Sequence, residues 1–336
     1  MTNVCNFNCV DCNRLNNYKF AGHYLWENVN SDYQRWSEKI EPKFINILGG
    51  EPFLNLDLPN WITGIRKLWP DTGIILLSNG SCLDLQKDVY NLLKDNRVRL
   101  DIGLHDRSRY DSVVEQIKNL LVRPITENFS ADMNNWNRLY NQLIKKAEWP
   151  NCSTWEDFFT LPEHIQKECT EVHKINPLDW RLSTGSLILT DTNGVTVTIG
   201  HADYFFTAPL KYTNNDKFIT YNSDPVAAHQ VCISKYCAEM VDGKLHKCHH
   251  VALLPKFLKQ YQVDIGEQDK DLLMSYQPLE STASDGEIQK FLSEIRNPIP
   301  QCKLCPDKLE RRWFTAGTDK LKVKKIFAIK SESFGI

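Results

Sequence analysis

Cys5-Asn6-Phe7-Asn8-Cys9-Val10-Asp11-Cys12 is the stretch on which the reading of this chain turns, and its spacing is Cys-x3-Cys-x2-Cys. Three thiolates this close together can hold three corners of a [4Fe–4S] cube. The fourth iron is then left without a protein ligand, and an open position is what a catalytic metal needs. Spacing alone also admits a zinc site. The asparagine-rich loop, with Phe7 inside it, suits close approach of backbone to a cluster.

Downstream, Phe44-Ile45-Asn46-Ile47-Leu48 is a short apolar run that reads as a buried strand. It ends in Gly49-Gly50-Glu51-Pro52, where two glycines allow a sharp turn or a close approach and Pro52 fixes the exit. Taken together, Thr2-Asn3-Val4-Cys5 through Cys12 and this Gly-Gly-Glu-Pro segment resemble the signature of the radical S-adenosylmethionine (SAM) superfamily. The aromatic that usually precedes the last cysteine is absent, since Val10 and Asp11 stand there and Phe7 lies earlier in the loop. The resemblance implies a [4Fe–4S] cluster on Cys5, Cys9 and Cys12. It also implies that Gly49, Gly50, Glu51 and Pro52 hold the amino group of SAM.

Two further apolar runs continue the pattern. Gly73–Leu77 ends in Ser78-Asn79-Gly80, and Val98–Leu104 alternates up to His105. Helical segments, Leu56–Trp69 and Leu85–Asp95, fall between the strands. Strands alternating with helices imply a parallel sheet or barrel with functional residues at the C-terminal strand ends. The fold class expected is α/β, a partial (β/α)6 TIM-like barrel of the radical SAM kind. By the resemblance, Ser78, Asn79, Asp101 and His105 join the SAM contacts, with His105 also able to face substrate. The family's apolar first strand has almost no room before Thr2, and a truncated reading frame is the expected reason.

Residues 106 to 180 are polar and Trp-rich, with helical spacing at Val113, Val114, Ile117, Leu120 and Leu121, and again at Trp136, Leu139, Tyr140, Leu143 and Ile144. This reads as a helical insertion, either a substrate-selecting lid or packing over the barrel. Leu187–Thr190 and Val195–Ile199 flank Asn193-Gly194 and read as a hairpin.

The chain has 336 residues, 42% of them hydrophobic, and a formal net charge of −2. That supports a packed core and argues against a general nucleic-acid or membrane-surface binder. The basic run at Lys320, Lys322, Lys324, Lys325 and Lys330 reads as a solvated tail. No apolar stretch is long enough to span a bilayer, and the cytoplasm is the expected compartment. There the 11 cysteines, an odd number, point to metal binding more than to a disulfide framework. Cys82, Cys152 and Cys169 stand alone and read as small buried residues.

Cys237 to Cys248 reads as a small hairpin turning at Asp242-Gly243, its two cysteines meeting across the strands. Cys302 and Cys305 form a later Cys-x2-Cys. These, with Cys232 as a fifth candidate, provide enough thiolates for a second [4Fe–4S] cluster or a zinc ion. His246, His249 and His250 crowd Cys248 and can complete a Cys/His zinc site. The pattern resembles the SPASM and twitch modules of radical SAM enzymes, with a single auxiliary cluster, since no cysteine follows Cys305. Cys237 is preferred over Cys232 as its first ligand. The division expected is a barrel over 1–200 and a cysteine-rich hairpin module over 201–336.

The function implied by the resemblance is reductive cleavage of SAM to a 5′-deoxyadenosyl radical that takes hydrogen from a substrate. A peptide or protein substrate is preferred to a sugar or other small molecule, and flavodoxin or ferredoxin is the expected electron donor. A decayed, non-catalytic metal-binding scaffold is the competing class.

Overall fold

The structure, a computed structural model, describes residues 1–7, 9, 12–18, 20–105, 107–131, 185–201, 204–206, 210–212, 218–232, 234–308 and 311–313. Cys152, Cys169, the Trp136–Ile144 helical pattern and the basic C-terminal run lie outside the described residues. The chain divides into two compact, discontinuous units. One comprises 1–74, 82–87 and 204–336, the other 75–81 and 88–203. The N-terminal cysteine loop and the C-terminal cysteines belong to the same unit.

Within the first unit, helix α1 (Asn30–Ser37) buries Tyr33 and Trp36, and α2 (Leu58–Leu68) buries Leu58, Trp61, Ile62 and Ile65. The spacing on α2 puts those four on one face. Trp26, Tyr33 and Trp61 meet edge-to-face at centroid distances of 5.2 to 5.6 Å, the arrangement that ring quadrupoles favour. Strand β1 (Phe44–Ile47) runs into the Gly49–Pro52 segment.

The C-terminal part of this unit holds helices α5 (Pro225–Val231), α6 (His249–Tyr261), α7 (Glu267–Met274) and α8 (Asp285–Ser293). Ser284 and Glu287 close α8 with a capping box. The apolar core joins α6 to the segment just after the cysteine loop. Tyr18 and Phe20 each lie 5.7 Å, ring to ring, from Phe257, and Leu15, Leu254 and Leu304 are buried with them.

Three short strands, β7 (Tyr204–Phe206), β8 (Lys211–Tyr212) and β9 (Phe218–Ile219), precede α5, and the expected cysteine-flanked hairpin is present as β10 (Glu239–Val241) and β11 (Lys244–His246). Asp242 and Gly243 turn it with φ of 52° and 73°, the two positive values that a tight hairpin turn needs. Gly243 is required for a second reason. A Cβ there would stand 2.4 Å from Oδ2 of Asp32 on α1. The buried Trp36 indole N–H donates to the Gly243 carbonyl at 2.7 Å, and Lys39 Nζ donates to the carbonyls of Ser281 and Ala283. Helix α1 thereby holds the hairpin by its turn.

Strand β2 (Gly73–Ser78) is followed in the second unit by α3 (Val89–Asp95), β3 (Val98–Leu104), α4 (Tyr110–Leu120), β4 (Ile125–Ala131), β5 (Gly185–Asp191) and β6 (Thr196–His201). The sheet order is β1-β2-β3-β6-β5-β4, with β1 and β4 at its ends. Val98, Leu100, Ile102 and Leu104 alternate inward along β3, and β3 pairs in parallel with β6. The hairpin expected around Asn193-Gly194 is β5–β6. Asp191 organises its turn. It accepts from the Tyr90 hydroxyl and from the N–H groups of Val122, Asn193 and Val195, at 2.8 to 3.2 Å.

Two expectations are corrected. Residues 125–131, assigned above to a helical insertion, form strand β4, paired antiparallel with β5. Thr126-Glu127-Asn128 carries no apolar pattern, and the free edge of β5 decides its conformation. The helix expected over Leu85–Asp95 breaks into a 3-10 turn at Leu83–Leu85 and α3, with Asp88 between them at φ 54°. The architecture is mixed α/β around a mostly parallel sheet, in which β5 pairs antiparallel with both β4 and β6 and is joined to β6 directly by a hairpin. Among the described residues no helix is long and apolar enough to cross a membrane.

Candidate functional site

The cysteine loop is held at its root on two sides. Asn3 N–H donates to the Gly22 carbonyl at 2.8 Å and Tyr24 N–H to the Met1 carbonyl at 3.0 Å. On the other side, Gly50 N–H donates to the Thr2 carbonyl and Glu51 N–H to the Val4 carbonyl, both at 2.8 Å. The Thr2 hydroxyl accepts from Val4 N–H and meets His23 Nδ1 at 3.0 Å. A Cβ on Gly49 would lie 2.2 Å from the Thr2 carbonyl oxygen, and one on Gly50 would lie 2.0 Å from that of Val4. The two glycines are therefore the only residue type that lets the segment before Cys5 lie flat against β1's exit. Sequence reasoning gave them to a ligand; their contact with the chain's own N-terminal backbone was not foreseen.

Glu51 is completely buried. Its carboxylate accepts from Phe53 N–H at 3.2 Å and caps the 3-10 turn Pro52–Leu54. Gln86 closes the far side by donating to the carbonyls of Phe53 and Asn55, each at 3.0 Å.

Cys9 is buried, while Cys5 and Cys12 are half-buried. Burial pushes the Cys9 thiol far above its ordinary pKa, and the neighbouring Cys12 and Cys5 add to the shift. The sulfurs of Cys5 and Cys12 thus both lie within charge reach of Cys9. Two residues on, Arg14 is buried and ion-paired with Glu239 of β10 at 2.8 Å.

A second group of thiols lies in the same unit. Cys248 begins α6 and is pushed up to about 12 by burial, with Cys232 and Cys302 contributing and the helix amides of Val251 and His250 opposing. Cys305 is raised further, by burial first and then by Cys248, Cys232 and Cys302. Four thiols, Cys232, Cys248, Cys302 and Cys305, therefore share one neighbourhood. Cys237 is exposed, and its N–H donates to the Ser234 carbonyl. The hairpin pairing ends at Glu239 and His246, so Cys237 and Cys248 do not meet across it.

Lys247 is buried among these thiols, its ammonium donating to the Glu294 carbonyl at 3.3 Å. Buried imidazoles also crowd the group. His250 Nδ1 lies 3.3 Å from Cys305 Sγ, and His249 Nδ1 lies 3.2 Å from the Ser234 hydroxyl. Burial lowers His246 to about 4 and His250 to about 3. His229, His246, His249 and His250 each keep one buried ring nitrogen without a hydrogen-bond partner.

Among the described residues no three His, Cys, Asp or Glu side chains are closed around one point as a ligand set. The donor chemistry nonetheless fits iron. Burial disfavours the free thiolate at Cys9, Cys248, Cys302 and Cys305, and a bound metal removes that penalty by taking the sulfur as thiolate. Three thiols at the N-terminal loop are the number that holds a [4Fe–4S] cluster with one iron open.

The remaining expected SAM contacts lie in the second unit. The Ser78 hydroxyl accepts from Gly80 N–H at 3.0 Å, and Asn79 Oδ1 accepts from Ser81 N–H at 2.9 Å. Asp101 forms a two-point ion pair with Arg99 at 2.8 Å, on the face of β3 opposite its buried row. His105 is half-buried just beyond the end of β3.

Residues 1–129 match the family model of the radical SAM superfamily. That segment contains the cysteine loop, Gly49–Pro52 and the first three strands, and it is a radical SAM domain. The family implies a [4Fe–4S] cluster, SAM and radical chemistry. No curated protein matches the chain.

Proposed function

We propose that this protein is a two-cluster radical SAM enzyme that modifies a peptide or protein. When bound at Cys5, Cys9 and Cys12, a [4Fe–4S] cluster supplies one-electron cleavage of SAM to a hydrogen-abstracting 5′-deoxyadenosyl radical. The observation that supports this reading best is the pinning of the cysteine loop onto Gly49–Glu51. Two backbone hydrogen bonds and two glycines without room for a Cβ fix the loop against the segment proposed to receive the SAM amine. Such fixed placement is what cofactor chemistry asks of the protein.

The chain's own residues have distinct parts in this proposal. Cys5, Cys9 and Cys12 hold the cluster and leave one iron open. Glu51, buried at the turn, and the Gly49–Pro52 backbone receive the SAM amine. Ser78, Asn79, Asp101 and His105 are the further candidates for SAM or substrate. Cys232, Cys248, Cys302 and Cys305 hold an auxiliary cluster in a twitch-like module, with Cys237 outside it. A flavodoxin or ferredoxin is the proposed electron donor, and oxidation of a sugar or other small molecule is the alternative reaction.

A second reading has a specific observation behind it: His250 Nδ1 beside Cys305 Sγ suits a zinc ion held by mixed Cys and His ligands. One experiment separates the readings. The full chain is reconstituted anaerobically, iron, sulfide and zinc are counted, and SAM and dithionite are added. About eight irons with 5′-deoxyadenosine formed is the expected result. About four irons with zinc would assign the second group to zinc. Cluster-loaded protein that leaves SAM intact would overturn the enzymatic reading.

A further inference from the structure

Backbone N–H groups reach Cys248 and Cys302, and one imidazole reaches Cys305. His250 is the second residue of α6, and its Nδ1 lies 3.3 Å from Cys305 Sγ. The ring packs edge-on against His249 at a centroid distance of 4.0 Å, and its Nε2 is buried without a partner. A cysteine that binds metal is a thiolate, which accepts hydrogen bonds and donates none. The contact then requires the proton of a neutral imidazole to sit on Nδ1. Nε2 becomes a bare acceptor, and an unpaired acceptor is tolerated in interiors better than an unpaired N–H. The orphaned Nε2 and the short Nδ1 contact thus select the same tautomer.

From this contact we infer that His250 donates an N–H···S hydrogen bond to Cys305 and raises the reduction potential of the auxiliary cluster. The inference rests on the reading that Cys232, Cys248, Cys302 and Cys305 hold a [4Fe–4S] group. Reduction adds a negative charge to a group already made anionic by four thiolates. Hydrogen bonds to the sulfurs and nearby positive charge favour the reduced form, and they are the protein's main controls on potential. Lys247, buried beside the same cysteines, works in the same direction. His250 is a positioning and tuning residue here, not a ligand.

The test uses the full chain carrying Cys5→Ala, Cys9→Ala and Cys12→Ala, so that only the auxiliary cluster gives a signal. After anaerobic reconstitution, EPR-monitored redox titration gives its midpoint. His250→Leu should shift the midpoint to more negative values at unchanged iron content, and His250→Asn, which keeps an N–H donor, should restore part of the shift. An unmoved midpoint in His250→Leu with full iron would overturn the hydrogen bond while leaving the cluster reading intact. A second measurement needs no substitution at His250. With 15N-labelled histidine, the reduced cluster should show a weak 15N coupling. A strong coupling would make His250 a ligand, and none would remove it from the site; either overturns the inference. Zinc in place of iron would instead overturn the cluster reading beneath it.

Discussion

Arg14 Nη2 lies 2.8 Å from Oε1 and 2.9 Å from Oε2 of Glu239, with the two side chains only 10% and 19% exposed. The pair joins the residue two positions after the last loop cysteine to the first residue of β10. It ties the two thiol-bearing segments of the first unit by one partly buried ion pair. Removing one partner leaves the other charged with little solvent around it, which costs more than the pair itself contributes.

Glu239→Gln is therefore expected to destabilise the metal-free protein by about 2 kcal/mol, below the cost of breaking a fully buried pair because water still reaches both groups. The double change Arg14→Met with Glu239→Met should cost less than the sum of the single changes, since no lone charge remains. Urea unfolding of the four proteins measures the cycle. Additive losses would show that the pair has no coupling.

A Gly50→Ala substitution tests the root of the cysteine loop. The added methyl carbon would sit 2.0 Å from the Val4 carbonyl oxygen, and backbone on both sides cannot move aside cheaply. The Val4–Glu51 hydrogen bond must break, and the loop must lift from β1's exit. Iron retained at Cys5, Cys9 and Cys12 should fall severalfold. Iron at the C-terminal thiols should be unchanged, and Gly286→Ala on α8, where a Cβ meets nothing within 4 Å, is the control for loss of a glycine. Equal iron loss from both groups would place the damage in folding and not in the loop.

Much of the site could be read because its signals are local. Cys-x3-Cys-x2-Cys and Gly-Gly-Glu-Pro are short, and β1, β2, β3, α2 and the β5–β6 hairpin announce themselves by period and turn residues. What escaped depends on distant partners. Strand β4 is polar and takes its conformation from the edge of β5. Asp191 looks like a turn residue, yet its carboxylate also binds Tyr90 and Val122, far away in sequence. The grouping of Cys232 with Cys248, Cys302 and Cys305 rests on the packing of α5, α6 and the 3-10 turn Pro300–Leu304, and no spacing rule contains that.

Paired serine substitutions test this grouping. Cys232→Ser should lower the auxiliary iron retained after desalting, because one corner of the cluster loses its thiolate and the cluster is held at three corners only. Cys237→Ser should retain all of it, because that sulfur is exposed and stands outside the mutual influence of the other four. Iron and sulfide counts on reconstituted protein decide. The reverse pattern would return the ligand role to Cys237 and make Cys232 the spare.

The last prediction concerns pH and needs no cofactor. Asp191 is 6% exposed. Burial alone would raise its pKa, but hydrogen bonds from the Tyr90 hydroxyl and from the N–H groups of Val195, Val122 and Asn193 outweigh it and hold the carboxyl below its ordinary value. A carboxyl depressed in the folded state binds its proton more readily in the unfolded chain. Its stabilising effect is fully present above the unfolded pKa and is lost as pH falls through the folded pKa. Asp191→Asn removes that dependence. Every position of the amide turns Nδ2 toward groups that donate, since both carboxylate oxygens accept from two donors each. The variant should lose about 1–3 kcal/mol at neutral pH, the cost of buried donors left unmatched. That gap from the parent protein should narrow as pH falls through the carboxylate range. Urea unfolding across that range measures it, and a gap constant with pH would show that the charge of Asp191 contributes nothing.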